Sequence, residues 1–206
     1  LQANLLVEGF YTMLNNVFTL VRIGENEDGS IVYWERRNGS GATVAGVNFE
    51  GKIGIPHRFE LQLGYTLQSS RYDTPERWSD QLAPQRKMFR APDHYGYLTS
   101  LFDITPRFKA SLFGTYTGSM LVKHILSDGT KETDLEQNTP SFWDMGIKLA
   151  YTFRIGKAVD LEVNTGVKNI FDAYQKDLDY GAFKDADYVY GPSLPRMYFV
   201  GIKFSI

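Results

Sequence analysis

Apolar and polar residues alternate along most of this chain. Between residues 59 and 68, and again between residues 144 and 155, every second residue is apolar. A period of two is typical of a β-strand with one apolar face, and helical spacing fits neither stretch. Residues 197–206 also alternate strictly, and weaker versions of the pattern run through residues 3–13, 43–55, 96–104, 108–122 and 159–169. The pattern therefore predicts an all-β chain of eight strands.

The predicted connections between these strands are of two kinds. After the second, fourth and sixth strands the chain reverses within a few residues, at "GIPHR", "DITPR" and "RIGKA", where Pro or Gly suits a tight turn. Long polar connections lie at residues 25–30, 72–93, 124–143 and 175–195. In an antiparallel sheet this order places all short turns at one end. Outer-membrane barrels have this arrangement, with short periplasmic turns and long extracellular loops.

One local signal conflicts with this arrangement. Asn38 and Gly39 form a dipeptide that strongly favours a two-residue hairpin turn. A reversal there would move "GIPHR" to the opposite end of the sheet from the other two short turns. We therefore predict that residues 38–41 form a bulge or kink within a long second strand.

The two faces of the predicted strands differ in chemistry. One face carries Leu, Ile, Val, Phe and Tyr, whereas the other carries charged residues such as Glu60, Lys148 and Arg154. This pattern suits lipid outside and a polar interior, and an aromatic content of 15% fits rings at the two membrane interfaces. The sequence therefore predicts a transmembrane barrel. A soluble antiparallel sandwich or closed barrel is the alternative.

Composition narrows the possible partners. The 22 basic and 24 acidic residues nearly balance, so no overall field favours nucleic acid. The chain has no cysteine, which excludes disulfides and thiolate metal sites. No apolar run reaches the roughly 18 to 20 residues of a membrane helix. The opening "LQANLLVEGF" lacks a starting Met and a signal peptide pattern, so we expect a mature or truncated chain.

The C-terminal segments resemble a known family. "TGVKNIFDAYQKD" followed by "YGPSLPRMYFVGIKFSI" resembles the C-terminal signature of TonB-dependent outer-membrane receptors. In that signature a "GVxNLFD" strand is followed by a long loop and then by a final strand that begins at an Arg such as Arg196. "ATVAGVNFEGKIGI" is similar to another strand of the family. "RAPDHYGYLTSLF" and "GTYTGSMLVKH" resemble receptors of the Bacteroidetes type. The family usually ends on Phe or Trp, whereas this chain ends on Ile206, two positions after Phe204.

The resemblance implies a fold, a function and a location. Residues 1–206 would form the C-terminal segment of an antiparallel transmembrane β-barrel of 22 strands, without the plug domain and the N-terminal strands. The whole receptor would bind a scarce nutrient, such as a siderophore, haem or a corrinoid, and take it up across the bacterial outer membrane with energy coupled through TonB. The implied partners are the rest of the barrel, the plug, the TonB complex through the plug, membrane lipid and a small-molecule cargo. Neither catalysis, nor a cofactor, nor nucleic acid is expected.

A second hypothesis fits the strand count equally well. Eight strands also build the small outer-membrane barrels that close on themselves, and such a barrel would have a structural or adhesin role. Closure would require residues 3–13 to pair with residues 198–206. In a segment of a larger barrel, both strands would pair with strands outside this sequence.

The long loops hold the candidate ligand-binding residues. Basic side chains together with aromatic rings can hold an anionic, ring-bearing cargo, and loops on a rigid scaffold usually carry recognition. The predicted ligand-binding residues are Arg77, Trp78, Arg86, Arg90, Tyr95, Tyr180, Tyr188 and Tyr190. The alternative is that these side chains stabilise the long loops.

The sequence offers little for metal binding or catalysis. His94 and His124 are weak candidate ligands for haem iron or another metal, because both lie near the loop end of the fourth and fifth strands. His57 lies in a short turn at the other end, so the three histidines cannot cluster. The acids between Asp177 and Asp187 lack the Gly and the terminal Glu of a calcium loop, and we predict that they form a solvated loop surface.

Overall fold

The protein is described by a computed structural model that covers residues 1–27, 32–156 and 159–205. Among these residues, no helix is long and apolar enough to cross a membrane. The described strands are β1 (Gln2–Leu14), β2 (Phe18–Glu25), β3 (Val32–Asn38), β4 (Ala42–Ile55), β5 (Phe59–Glu76), β6 (Gln85–Lys87), β7 (His94–Thr105), β8 (Phe108–Thr117), β9 (Leu121–Ser127), β10 (Glu132–Asn138), β11 (Phe142–Ile155), β12 (Val159–Lys168) and β13 (Met197–Ser205).

Eight long strands form one antiparallel sheet in chain order, β1-β4-β5-β7-β8-β11-β12-β13, with the short β6 attached to β5. The predicted all-β fold and the eight predicted strands are confirmed. Within the described residues, β1 pairs with β4 and β13 pairs with β12, so the sheet is open. The hypothesis of a self-closed barrel is therefore wrong for this structure, since it requires β1 to pair with β13. Residue 206 lies outside the described residues.

The three short turns lie at one end of this sheet, as predicted. In "GIPHR" the amide of Arg58 donates to the carbonyl of Ile55 at 3.0 Å. Pro56 takes the second position, and His57 has a φ of 59° in the third. A positive φ at the third position is typical of a type II turn. In "RIGKA" the residue at the reversal is Gly156, with a φ of 67°. Residues 157 and 158 of that turn lie outside the described residues.

Residues 38–41 form a kink and not a hairpin turn, as predicted. Leu14 pairs with Ala42 and Phe18 pairs with Asn38, so the same number of residues separates the pairs on both strands. The β2–β3 hairpin therefore continues the β1–β4 ladder in the same direction. Close packing explains Gly39, because a Cβ at this position would clash with Cγ2 of Thr19.

The long connections contain more strand than the sequence pattern predicts. The predicted strand at residues 108–122 is wrong at its end, since β8 stops at Thr117 and a separate strand, β9, starts at Leu121. Most of the β9–β10 hairpin lies within residues 124–143, which were predicted as a loop, and the hairpin keeps the register of the β8–β11 ladder. Its strands are short and carry mixed polar residues, so they lack the alternation that identified the longer strands.

The charged face of the main sheet is the face that carries Glu60 and Lys148, together with every second residue along each strand. Ion pairs cross this face, including Lys52 to Glu60 at 2.8 Å and Lys148 to Glu162 at 3.8 Å.

The opposite, apolar face carries residues such as Leu63, Val200 and Ile202, which are 47%, 75% and 63% exposed. These three residues therefore do not belong to a dry interior core. The buried hydrophobic cluster of the described residues lies instead in the loops, around Val122 and Tyr188.

Candidate functional site

Three long connections meet at the loop end of the sheet. They are residues 77–93, the β9–β10 hairpin at residues 121–138, and residues 169–196. We refer to them together as the loop cap. The hairpin lies between the other two segments, because one of its faces contacts residues 77–93 and the opposite face contacts residues 169–196.

The first face of the hairpin carries an ion-and-ring contact. Lys123 and Glu136 are cross-strand partners. Nε1 of Trp78 donates to the carboxylate of Glu136 at 3.0 Å, and Nζ of Lys123 lies 5.0 Å from the centroid of the Trp78 ring and 4.9 Å from that of Phe89. Burial lowers the pKa of Lys123, with a smaller contribution from nearby Arg90, while Glu136 opposes the shift. These contacts join residues 77–93 to the hairpin.

The second face carries the buried core of the cap. The ring of His124 stacks on the ring of Tyr188, with centroids 3.6 Å apart and planes 4° apart. Nε2 of His124 lies 2.9 Å from the carboxylate of Asp179, while Nδ1 has no hydrogen-bond partner among the described residues. We therefore assign the ring proton to Nε2, which donates to Asp179, because a buried N–H without an acceptor is costly. Val122 and Phe142 pack against the same core.

A carboxylate connects the two buried tyrosines. Asp177 accepts hydrogen bonds from the hydroxyls of Tyr188, at 2.7 Å, and of Tyr190. Burial works to raise the pKa of Asp177, but the two hydroxyl donors outweigh it and the pKa lies below its ordinary value. Burial and the bond to Asp177 raise the pKa of Tyr190 to about 12. Both hydroxyls therefore keep their protons and act as donors to an ionised carboxylate.

The side-chain amide of Asn169 and the backbone amide of Arg196 hold the two ends of residues 169–196 together. Asn169 donates to the carbonyls of Ala173 and Leu194, both at 2.9 Å, and its φ of 49° lies in the region that Asn tolerates best among non-glycine residues. The amide of Arg196 donates to the carboxylate of Asp172 at 3.0 Å. The segments whose sequence resembles the receptor signature therefore close the base of this loop.

Arg90, in residues 77–93, contacts both of the other segments of the cap. Its backbone amide donates to the carbonyl of Leu121 at 2.8 Å. Its guanidinium donates to the carbonyl of Val189 at 2.8 Å and to the carbonyl of Asp187. Charged donors make stronger bonds than neutral ones, so Arg90 is a central contact of the cap.

The predicted ligand-binding residues fall into two groups. The side chains of Trp78, Arg90, Tyr188 and Tyr190 make the contacts within the cap that are described above. The other four are exposed, and they are Arg77, Arg86, Tyr95 and Tyr180. Tyr180 is 85% exposed in the cap, and Tyr95 lies on the charged face of β7 with 39% of its surface exposed. Their role in ligand binding stays a prediction.

The structure places the two candidate metal-ligating histidines in different surroundings. His94 lies on the apolar face, where Nδ1 is 2.9 Å from the hydroxyl of Tyr65 and the ring is 5.4 Å from that of Tyr116. Tyr116 in turn contacts Trp143 at 4.5 Å. We refer to these four side chains as the aromatic belt. His124 instead lies in the core of the cap, and the described residues contain no group of three or more His, Cys, Asp or Glu side chains able to hold a metal.

Cavities lie beside and beneath the cap. One of about 500 Å³ is lined by residues 68–71, β6 and Asp93, and it includes the predicted residue Arg86. On the charged face, a cavity of about 360 Å³ is lined in part by Tyr97, Asp144 and Lys168. A neighbouring cavity of about 210 Å³ shares Asp144 and adds Thr117. The larger of these two cavities offers both signs of charge beside the ring of Tyr97.

The sequence pattern missed several residues of the cap. Two of the acids predicted to form a solvated surface contact the hairpin instead, since Asp179 contacts His124 and Asp185 accepts from the amide of Ile125 at 2.9 Å. The prediction is wrong for these two residues, whereas Asp177 and Asp187 are exposed. Gln175 was also missed, although its amide bonds to both the carbonyl of Tyr188 and the amide of Tyr190. No local signal identifies these roles, because most of the partners are distant in sequence.

Comparison with known proteins identifies the fold class. No family model and no curated protein sequence matches the chain. Among solved structures, the ferric-catecholate import receptor Fiu of E. coli K12 is 23% identical, with a TM-score of 0.57, over 96% of this chain and 25% of its own. The siderophore receptor PirA of Acinetobacter baumannii is 13% identical, with a TM-score of 0.61, over 97% of this chain and 29% of its own. The copper transporter OprC is 14% identical, with a TM-score of 0.62, over 97% of this chain and 28% of its own.

These structural neighbours are TonB-dependent receptors. The chain has the fold of part of their β-barrels, and it spans between 25% and 29% of the length of the three structures. The fold thus agrees with the family resemblance of the C-terminal segments.

Proposed function

We propose that this chain is a barrel segment of a TonB-dependent receptor of the bacterial outer membrane. The observation that carries the proposal is the exposed apolar face of an open sheet, where Leu63 and Val200 are 47% and 75% exposed. A continuous apolar surface of this kind is unfavourable in water and favourable in lipid. The loop cap would then lie outside the cell and the three short turns in the periplasm.

The proposed partners follow from the two open edges of the sheet. Backbone groups along β1 and β13 need hydrogen-bond partners in lipid, so we propose that further strands of a larger barrel pair with both edges. The larger barrel would enclose a plug domain, through which the TonB complex would act. The Bacteroidetes-type assignment belongs to this proposal and is supported only by the two sequence segments quoted above. The proposed role is binding and transport, without catalysis or a cofactor.

The cargo proposed here is a small metal-containing nutrient. The names of the structural neighbours point to ferric catecholates, siderophores and copper. Among the cargoes that the sequence suggested, a ferric siderophore is therefore favoured over a corrinoid or haem. Arg77, Tyr95 and Tyr180 are exposed and available to contact it, whereas Trp78, Arg90, Tyr188 and Tyr190 position the cap. The charged-face cavities beneath the cap would form part of the path inward.

Thiol labelling in whole cells tests the membrane orientation. The segment contains no cysteine, so it supplies no competing thiol. In the full-length receptor, Lys131→Cys in the exposed hairpin turn should react with a membrane-impermeant maleimide in intact cells. The matched variant His57→Cys, at the opposite end of the sheet, should react only after the outer membrane is permeabilised. Equal labelling of both sites in intact cells would contradict the proposed orientation.

Uptake measurements test the proposed energy coupling. Cells that express the receptor should bind and accumulate a radiolabelled ferric siderophore under iron limitation. Deletion of TonB should abolish accumulation while surface binding persists, because only the release step needs the proton gradient. Accumulation that is independent of TonB would overturn the proposed transport mechanism.

A further inference from the structure

The cavity of about 500 Å³ beside β5 has an excess of positive charge. It is lined by residues 68–71, β6 and Asp93, and we refer to it as the basic cavity. Its cations are Arg71, Arg86 and Lys87, and Asp93 is the one carboxylate among its lining residues. Asp93 lies 2.7 Å from Nζ of Lys87. Three cations against one carboxylate leave two positive charges unbalanced, so the cavity favours an anion.

Several donors in the basic cavity have no acceptor. Within the described part of the chain, neither Arg71 nor Arg86 forms an ion pair. Nε2 of Gln85 is buried and has no hydrogen-bond partner there either. An unpaired buried amide donor is unfavourable, and a tetrahedral oxyanion would supply acceptors to it and to the guanidinium groups together. The donor set therefore fits a phosphate group.

The position of the cavity indicates where that phosphate comes from. The β4–β5 ladder has no register shift up to Tyr72, so Arg71 lies on the same face as Leu67 and Leu63. Lys87 is the partner of Arg71 across β5 and β6 and shares this face. Arg71 lies four residues beyond Leu67, which is roughly 13 Å along a strand. Arg71 and Lys87 therefore line the basic cavity from the apolar face, on the loop side of the aromatic belt, whereas Gln68 and Ser70 line it from the charged face.

An aromatic belt marks the interface between lipid tails and headgroups. The side chains of Tyr65 and His94 in this belt contact each other at 2.9 Å on the apolar face. The side of the basic cavity that Arg71 and Lys87 line lies beyond the belt on this face, at the depth of the headgroups of the outer leaflet. The charged-face cavities beneath the cap, which a cargo would cross, open on the opposite side of the sheet.

We propose that the basic cavity binds a phosphate group of an anionic lipid in the outer leaflet. The inference rests on the membrane placement proposed above but on neither cargo binding nor uptake. Arg71 and Lys87 contact the phosphate from the lipid side, and the amide of Gln85 donates to it from the buried side. The bound lipid screens the two unbalanced charges and holds the base of residues 77–93 at the membrane surface.

Lipid binding by the full-length receptor in nonionic detergent micelles tests this site. The probe is lipid A with two phosphates, and native mass spectrometry measures the bound fraction. Each basic residue near a membrane surface strengthens binding about five-fold, so Arg71→Gln together with Lys87→Gln should weaken it about 30-fold. The matched control, Lys131→Gln together with Lys184→Gln, makes the same charge change on exposed loop residues outside the cavity and should stay within about two-fold of the wild type.

A second variant tests the charge of the basic cavity, and two further probes test whether the phosphate and the lipid are both needed for binding. Gln85→Glu places a carboxylate in the cavity and should weaken binding of lipid A without removing a cation. Dephosphorylated lipid A should bind weakly to every form of the receptor, and inorganic phosphate should bind far more weakly than lipid A. Equal binding of the phosphorylated and dephosphorylated lipids overturns the site, as does equal loss in the control variant. Tight binding of inorganic phosphate alone overturns the lipid source.

The result separates this site from the proposed function. A receptor that binds and takes up its cargo but does not retain lipid A overturns only the basic cavity. A receptor that stays in aqueous solution without detergent overturns the membrane placement itself.

Discussion

The main sheet and the loop cap are stabilised in different ways. In the sheet, long backbone ladders join neighbouring strands while side chains such as Val200 remain 75% exposed. In the cap, short strands and irregular segments surround a small core in which Val122 is 1% and Tyr188 is 2% exposed. Hydrogen bonds in the cap join residues far apart in sequence, including His124 to Asp179 and Arg90 to Val189.

Because of this difference, the stability of the sheet depends on the membrane, whereas the stability of the cap does not. The apolar face of the sheet is favourable only when lipid or detergent covers it. The cap has its own buried core, so its stability depends on packing and hydrogen bonds within the protein. Substitutions in the cap should therefore act similarly in detergent and in lipid, whereas substitutions on the apolar face should act through the membrane.

The largest effect is expected in the core of the cap. Tyr188→Ala removes the ring that stacks on His124 and the hydroxyl that donates to Asp177, and it leaves a cavity. Replacing a large buried aromatic side chain by Ala costs about 3 to 5 kcal/mol. Hydrogen exchange of residues 121–138 in the full-length receptor should accelerate at least 100-fold, while exchange in β4 and β5 should not change. Tyr180→Ala in the same segment is the control, because Tyr180 is 85% exposed. Equal acceleration by both variants would contradict a packed cap.

The second effect is expected on the apolar face of the sheet. Leu63→Arg places a charge among lipid tails and should lower the free energy of unfolding in phospholipid vesicles by about 2 to 4 kcal/mol. The neighbouring side chain of Gln62 points to the charged face, where it donates to the hydroxyl of Tyr97. Gln62→Arg should lower the free energy of unfolding by about 1 kcal/mol, because this hydrogen bond is lost. Denaturant unfolding in vesicles measures both values. Equal costs would contradict the assignment of the two faces.

The sheet could be predicted from the sequence because its order is local. Alternation between residues 59 and 68 identifies β5 and its faces, and short turns such as "GIPHR" fix the ends. The kink at residues 38–41 was predicted by requiring all short turns to lie at one end, which overrode the local Asn-Gly signal. The strands and turns depend on residues that are close in sequence, whereas the kink was predicted from turns that lie far apart in the chain.

The cap could be predicted only in part, because its contacts are not local. Trp78, Arg90, Tyr188 and Tyr190 were identified by residue type, and their contacts agree with the alternative that they stabilise the loops, but their individual partners were not predicted. Tyr188 contacts Gln137, which is 51 residues away, and Ile125 contacts Asp185, which is 60 residues away. A carboxylate in a polar loop looks the same in sequence whether it faces solvent or accepts from a buried tyrosine.

A smaller effect is expected at Arg90, where the guanidinium joins two segments of the cap. Arg90→Ala removes the hydrogen bonds to the carbonyls of Val189 and Asp187. It should destabilise residues 185–190 by about 1.5 kcal/mol. This value is the lower end of the range for charged hydrogen bonds, because Arg90 is exposed. Ala keeps a Cβ, so it meets the same steric restriction at a φ of 57° and the comparison isolates the guanidinium. Hydrogen exchange of residues 185–190 measures the change. Arg86→Ala, outside this contact, should leave the exchange unaltered, and a similar change in both variants would contradict the linking role of Arg90.

The smallest effect is expected at Asp177 and depends on pH. Bonds from Tyr188 and Tyr190 hold the pKa of Asp177 below its ordinary value in the folded protein, against the effect of burial. The stabilisation is therefore fully present above the unfolded pKa of about 3.9 and is lost as the pH falls through the lower, folded pKa. Asp177 is exposed, so solvent screening keeps this gain below about 1 kcal/mol. Asp177→Asn should consequently destabilise the cap slightly at pH 6 to 7, with the difference from the wild type shrinking below about pH 4. Hydrogen exchange of residues 175–190, corrected for the intrinsic effect of pH on exchange, measures that difference. A difference that is constant with pH, or that grows on acidification, would show that Asp177 is not stabilised as an ionised acceptor of the two tyrosine hydroxyls.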